Sequence, residues 1–588
     1  MALAAGVVVV CSGDFQQQAV EPSSSLQRRS ANYEPTTWDY DAICSRSFDS
    51  SSERVSDFNQ LPMVASDNNA AMLTLKERVV ERLLLKEEVT TTATASSRLR
   101  MIHQLQSLGI AYHFEQEIKA ILLSMHRDAA KASNNKHDVL DLHSAALLFR
   151  MLREQGIPAS TGDLLLAMTS ASSREDDDHK ANSDGLLALY EASFLAFPGE
   201  TELEEARALA VQRLHDGHLQ QQLPLHWRAP RLQAMWTLQK QIIAGDDDGE
   251  TMIDPAILQL ARVDFNQVQT LHQRELAEAT RWWKETGLGE KLAFARERVV
   301  ECFFCAACIA PEPHLADCRE VLAKAGSLIV HLDDIYDVYG TPHELQAFTD
   351  AIGGWEHGST GGDTALPEYM KAMYAAIQET STVAAERVLH NHACHVLPLY
   401  KKAWHDLCKA FLVEARWHQQ GYTPSFREYL ANGWVTSTGP LLLLHALPAA
   451  AGASVLRAGG APPRLLELSS TIFRLRNDCV SHQAESERGD VPSAIACCMA
   501  EKWCAGEEQA HAAIQSLIAD TWKMLNKEMS SASADHHQSM PAVANKLCLN
   551  LARIIHCIYQ DGDGITSPTH RIKSMITDLL FNPIPHAS

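Results

Sequence analysis

The stretch Leu328-Ile329-Val330-His331-Leu332-Asp333-Asp334-Ile335-Tyr336-Asp337 sets an apolar run directly against three carboxylates. Asp333 and Asp337 are four residues apart, so on an α-helix their side chains share one face, one turn above the other. Like charges stacked at the end of an apolar helix repel one another unless something cationic lies between them. Hard divalent ions favour oxygen ligands, and Mg2+ commonly joins one or two carboxylates to a substrate phosphate. A solvated helix end is the plain alternative, and this motif alone leaves the two readings even. Helical spacing extends outward from it along most of the chain. Leu75-x3-Val79-Val80-x2-Leu83-Leu84, Ile118-x2-Ile121-Leu122, Leu147-Leu148-x2-Met151-Leu152 and Leu186-Leu187-x-Leu189-Tyr190 all repeat apolar residues at three and four. Val and Ile runs of period two are lacking, which predicts an all-α chain without a sheet.

A second polar stripe follows in Arg474-x2-Asn477-Asp478-x2-Ser481-x3-Glu485. Positions 477, 481 and 485 drift by only about 40° per step on a helix, so an amide, a hydroxyl and a carboxylate line one side. Such a stripe is ordinarily the wet face of an amphipathic helix. Paired with the first motif, it predicts two helices facing each other across a cavity, each holding metal. Arg474 lies one turn earlier and points the same way. Arg296-x-Arg298 precedes the apolar run Cys302-Phe303-Phe304-Cys305-Ala306-Ala307-Cys308, which places two cations at the rim of an apolar pocket. Arginine pairs are usually surface salt-bridge formers. Metal-ligand oxygens, arginines and apolar helices together suit the ionisation of an apolar diphosphate.

The composition agrees. Lys plus Arg number 51 against 73 Asp plus Glu, a net charge of −22 in 588 residues, which speaks against a nucleic-acid binder. Fourteen cysteines, several within apolar stretches, are too sparse for a disulfide scaffold and read as reduced thiols of an intracellular protein. The most apolar run, Leu441 to Leu456, contains His445, Pro448 and Gly452 and is too short to span a membrane. Residues 1–27 have no Lys or Arg but carry Asp14 and Glu21, and read as a short disordered leader, with a transit peptide as the competing idea. The location is then plastid if the leader is a transit peptide, and cytoplasmic otherwise. Polar breaks are expected at Ser170 to Gly185 and at Gly245 to Thr251. The second divides an N-terminal helical domain, 28–245, from a C-terminal catalytic domain, 250–588.

These residues resemble plant class I terpene synthases over nearly the whole chain. The resemblance rests on Asp333-Asp334-x2-Asp337 followed by Val338-Tyr339-Gly340-Thr341, and on Asn477-Asp478-x2-Ser481-x3-Glu485 followed by Arg488-Gly489-Asp490-Val491. Arg296-x-Arg298, Asp264-Phe265-Asn266, Arg281-Trp282-Trp283-Lys284 and Arg28-Arg29-x8-Trp38 also stand in the family's order. The resemblance implies an all-α fold of two helical domains, a C-terminal terpenoid synthase bundle and an N-terminal relic α-barrel lacking the Asp-x-Asp-Asp acid motif. It implies a lyase that ionises a prenyl diphosphate with three Mg2+ or Mn2+ ions and rearranges the cation. The implied metal ligands are Asp333, Asp337, Asn477, Ser481 and Glu485, with Asp334 in support. Arg296, Arg298 and Arg474 would hold the diphosphate. Arg28, Arg29, Tyr559 and Asp563 would belong to segments closing over the site. Geranyl diphosphate and a monoterpene product are favoured by the Arg-Arg pair and by Asn432-Gly433-Trp434-Val435 to Gly439-Pro440-Leu441; farnesyl diphosphate and a sesquiterpene are the alternative. A chain-elongating prenyltransferase would carry a second Asp-rich motif in place of Asn477, Ser481 and Glu485. A monomer without nucleic acid or a membrane span is expected. One departure stands out: Cys305 occupies a position where the family usually has Trp.

Overall fold

The computed structural model describes residues 28–29, 31–45, 66–84, 92–132, 140–172, 179–214, 222–244, 253–355, 366–452, 464–489, 492–502, 504–534 and 541–585. Within them the chain is helical and contains no strand. The leader, the second polar break and Asp490-Val491 lie outside the described residues. The first break is partly helical: helices Thr161–Ser172 and His179–Ser193 leave only 173–178 between them. Gly185 lies inside the second of these helices without ending it, and the acidic run 175–178 lies outside the described residues.

The long helix Pro255–Thr286 is the spine joining the two halves. Asp254 accepts from the Ala256 backbone N–H at its start, Pro255 occupies the first turn, and Gly287 ends it at φ 64°. Its motif Asp264-Phe265-Asn266 acts as a tie. Asp264 accepts from Tyr112 and from His113 Nε2 (2.7 Å) of the N-terminal half. Asn266 exchanges two 2.8 Å hydrogen bonds with the Ile584 backbone, and Gln269 donates to the carbonyls of Asp578, Leu579 and Asn582. The hydrophobic core follows these ties without a gap, from Leu83 and Phe114 through Phe265 to Phe303 and Leu580. Fully burying a side chain such as Phe303 contributes roughly 1.5–3 kcal/mol.

Six helices surround a cavity in the C-terminal half: Val299–Ile309, Ala316–Asp334, Phe426–Thr436, Gly439–Ala451, Arg464–Arg488 and Ala542–Ile558. Their spacing explains the wall. Leu322, Gly326, Ile329, Val330 and Asp333 recur at one helix face, as do Cys302, Cys305, Ala306 and Ile309, and as do Leu551, Ile554, Ile555 and Ile558.

Candidate active site

The cavity has an apolar base and a polar mouth. Its volume is about 200 Å³, far above the ~10–15 Å³ that admits one water, so it takes a ligand of many heavy atoms. Cys305, Ile309, Leu322, Leu442, Phe473 and Leu551 line the base; Arg296, Asp333, Asp337, Arg474, Asn477 and Glu485 line the mouth, with Tyr559, Asp563 and Thr566 beside them.

The first acidic wall is not one continuous α-helix. It is α-helical to Asp334 and then widens to a π-turn, Ile335–Tyr339, closed by Gly340 N–H donating to Ile335 O at 2.8 Å. Gly340 is required there, since a Cβ would stand 2.8 Å from that oxygen and 2.5 Å from Leu345 Cδ2. Asp333 and Asp337 nevertheless both line the cavity. Asp334 turns inward and is fully buried. It accepts from the Arg296 backbone N–H at 2.8 Å, and Arg296 Nε lies 3.1 Å from its Oδ1 without hydrogen-bond geometry. Burial pushes the Asp334 carboxyl up to about 6 against the pull of Arg296. Arg296 reaches Asp333 and Thr566 with its terminal nitrogens and lies over the Tyr33 ring at 4.9 Å. Burial opposes its charge, yet Asp334 and Asp333 hold its pKa above the usual arginine value.

Arg296 and Arg298 precede the apolar helix and do not lie on it. The helix begins at Val299, and the Asp334 bond to the Arg296 backbone holds the preceding segment out of helical pairing. Arg298 is not among the residues lining the cavity. Its guanidinium donates to the carbonyls of Ile565 (2.8 Å), Thr566 (2.8 Å) and Glu34 (3.2 Å), tying the N-terminal segment to the C-terminal loop.

The facing wall is the helix Arg464–Arg488. Arg474 donates to Asn477 Oδ1, and its Nε to Asp478 Oδ1 at 2.7 Å. The Ser481 hydroxyl donates to the Asn477 carbonyl at 3.1 Å, and Ser481 is absent from the cavity lining. Burial pushes Glu485 up to about 7, with Arg474 opposing. Asp478 faces away, fully buried, and accepts from Tyr429 OH (2.7 Å) and the Ala494 backbone N–H (2.9 Å) as well as Arg474. Removing it leaves the buried Tyr429 hydroxyl and Ala494 N–H without their acceptor and takes from Arg474 its ion-pair partner. We therefore expect Asp478→Ala to lower stability by about 3–5 kcal/mol, read as a shifted urea midpoint. A midpoint equal to that of the wild type would show that Arg474 is held some other way.

The N-terminal segment crosses the mouth. Arg28 pairs with Glu344 (2.8 Å), donates to Tyr339 O (3.1 Å) and stands 4.5 Å from the Tyr339 ring. Hydrogen bonding to Arg28 and Thr341 outweighs burial and brings Glu344 down to about 2. Arg29 donates to Asp337 O at 3.3 Å, and Trp38 Nε1 to Glu301 at 3.0 Å. On the other side, Asp563 accepts from the backbone N–H of Ile565 and of Thr566, which folds the C-terminal loop against Arg296. Sequence reasoning missed Glu344 and Tyr33, which meet Arg28 and Arg296 from hundreds of residues away. Glu344 alone left a local trace, as the third residue of the capping box that Thr341 opens.

Comparison with known proteins gives a consistent picture. Residues 37–234 match the family model "Terpene synthase, N-terminal domain", and residues 284–524 match "Terpene synthase family, metal binding domain". The chain is 35% identical to (−)-alpha-terpineol synthase of Vitis vinifera, over 96% of this chain and 92% of that one. It is likewise 35% identical to a chloroplastic myrcene synthase of Quercus ilex, over 96% and 91%. Among solved structures it resembles limonene synthase with 2-fluorolinalyl diphosphate (TM-score 0.81, 31% identity, 95% of this chain and 100% of that one). It also resembles isoprene synthase from grey poplar with three Mg2+ ions and dimethylallyl-S-thiolodiphosphate (TM-score 0.75, 32% identity, 93% and 99%).

Proposed function

The chain belongs to the terpene synthase family, whose members are lyases acting on prenyl diphosphates, and from that premise we propose that it converts geranyl diphosphate into a monoterpene. One observation carries the proposal: oxygen-donor walls and arginines ring the mouth of a cavity whose base is apolar. Among the described residues no three His, Cys, Asp or Glu side chains converge on one point. The acids are divided between two facing walls. That division suits Mg2+ or Mn2+, because such ions need only one or two carboxylates beside phosphate oxygens. Asp333 and Asp337 would hold ions on one wall, and Asn477, Ser481 and Glu485 on the other. Bound there, the metals supply Lewis acidity to a developing diphosphate anion. Arg296 and Arg474 already stand among those oxygens and would add fixed positive charge where the leaving group gathers negative charge.

The apolar base excludes water from the cation, and the segment around Arg28 covers it. Farnesyl diphosphate is not favoured, since the alpha-terpineol and myrcene synthases named above are monoterpene synthases. The chloroplastic relative supports the plastid over the cytoplasm, and no helix among the described residues is long and apolar enough to cross a membrane. The test is diphosphate release from geranyl, farnesyl and dimethylallyl diphosphates with Mg2+, each product identified by mass spectrometry. Geranyl diphosphate should give the highest kcat/KM and a ten-carbon volatile. A preference for either other substrate would overturn the assignment.

Isomerising geranyl to linalyl diphosphate requires the ion pair to recombine inside a dry, closed site. Replacing Arg28 and Arg29 by Ala should therefore lower turnover of geranyl diphosphate by about ten- to a hundredfold, and that of linalyl diphosphate much less. Equal losses would reduce the pair to a mechanical latch.

A further inference from the structure

The helix Phe426–Thr436 packs against a mouth arginine and reaches the cavity at its last residue. Near its middle, Gly433 lies against Arg474, where an added Cβ would stand 3.1 Å from Arg474 Cγ. At its end the chain breaks: Thr436, Ser437 and Thr438 line the cavity before the next helix starts at Gly439. Thr438 adopts φ 72°, a left-handed conformation that a β-branched residue keeps only under external constraint. Gly439 is fixed in place, since a Cβ there would lie 2.5 Å from Ser470 Oγ. The constraint on the other side comes from Glu414 on the helix Leu397–Gln420. One oxygen, Oε1, accepts from Thr436 Oγ1 at 2.7 Å and from Asn432 Nδ2 at 3.2 Å, one helical turn apart. Asn432 also donates to Ala410 O at 3.0 Å, so the last turn before the break is bound to the neighbouring helix.

Resting on the reading above, we propose that Glu414 is a positioning residue for product selection: through Thr436 it sets where the 436–438 break meets the carbocation. It is not among the residues lining the cavity and acts through the break. Burial pushes its carboxyl up to about 7, with Arg474, Thr436 and Asn432 pulling it down. Both hydrogen bonds, from Thr436 and from Asn432, end on a single oxygen of a kind that a carboxamide also presents.

The experiment uses the full chain with geranyl diphosphate and Mg2+, reading diphosphate release and product ratios together for Glu414→Gln, Glu414→Ala and Thr436→Val. Glu414→Gln should keep the wild-type profile. Glu414→Ala should change at least one product ratio by about fivefold, which converts to roughly 1 kcal/mol, the scale of the bond lost to Thr436. Its KM should hold and its diphosphate release should fall by less than about threefold. Thr436→Val cuts the same bond from the other side with little change of shape, and should move the profile in the same direction even if Glu414→Ala does not fold. An unchanged profile in folded Thr436→Val, or a Glu414→Gln profile as altered as that of Glu414→Ala, overturns the inference while leaving the reaction assignment intact. A wild type that releases no diphosphate overturns both.

Discussion

Asp333→Ala should retain the fold and lose at least about a thousandfold in kcat/KM. Asp333 is partly exposed at the mouth, whereas Asp334 is fully buried and keeps Arg296 anchored through backbone and side chain. The variant therefore leaves the buried Arg296–Asp334 pair in place and removes a carboxylate that faces the cavity and pairs with the outer end of Arg296. Metal-assisted stabilisation of a leaving diphosphate is worth several kcal/mol, and each ~1.36 kcal/mol is a factor of ten. Circular dichroism and diphosphate release, measured on the same sample, check the two halves of the expectation. A folded variant retaining a tenth of the activity with unchanged metal dependence would remove Asp333 from the metal site. Chelation of the wild type should produce the same loss and be reversed by added Mg2+.

Cys305→Trp should redistribute products by up to about thirtyfold. Cys305 lies on the apolar wall, one helical turn from Cys302. An aromatic face placed there can stabilise a desolvated cation by roughly 2 kcal/mol, which is about thirtyfold in a product ratio. It also excludes water. Products should shift from alcohols and early-deprotonated olefins toward further-cyclised hydrocarbons, read by gas chromatography. Loss of all turnover would mean that the indole overfills the base; full activity with an unchanged profile would mean that position 305 does not meet the cation.

The helices were legible because apolar residues recur at three and four, and the two oxygen-donor stripes because their spacing keeps one face. Several features were not, each for a physical reason. The π-turn after Asp334 adds one residue to a hydrogen-bonded ring, and a side-chain pattern five residues long cannot register that; only Gly340 hints at it. Arg296 and Arg298 looked alike, yet Asp334 draws one into the mouth while three carbonyls hold the other outside the lining. That division depends on partners from residue 34 to residue 566. The polar stretch 170–185 read as one break, yet the helices on either side run in to Ser172 and out from His179, while its acidic run, 175–178, lies outside the described residues. Glu414 sits in an ordinary amphipathic helix, and only the packed structure shows its carboxyl beneath a strained break.

The central claim is that two facing walls hold divalent ions around one diphosphate. Crystals grown with Mn2+ and an unreactive geranyl thiolodiphosphate test it directly through the anomalous signal of manganese. Peaks should lie against Asp333 and Asp337 on one wall and against Asn477, Ser481 and Glu485 on the other, with the diphosphate between Arg296 and Arg474. Manganese on one wall only, or a diphosphate bound away from both arginines, would contradict the account.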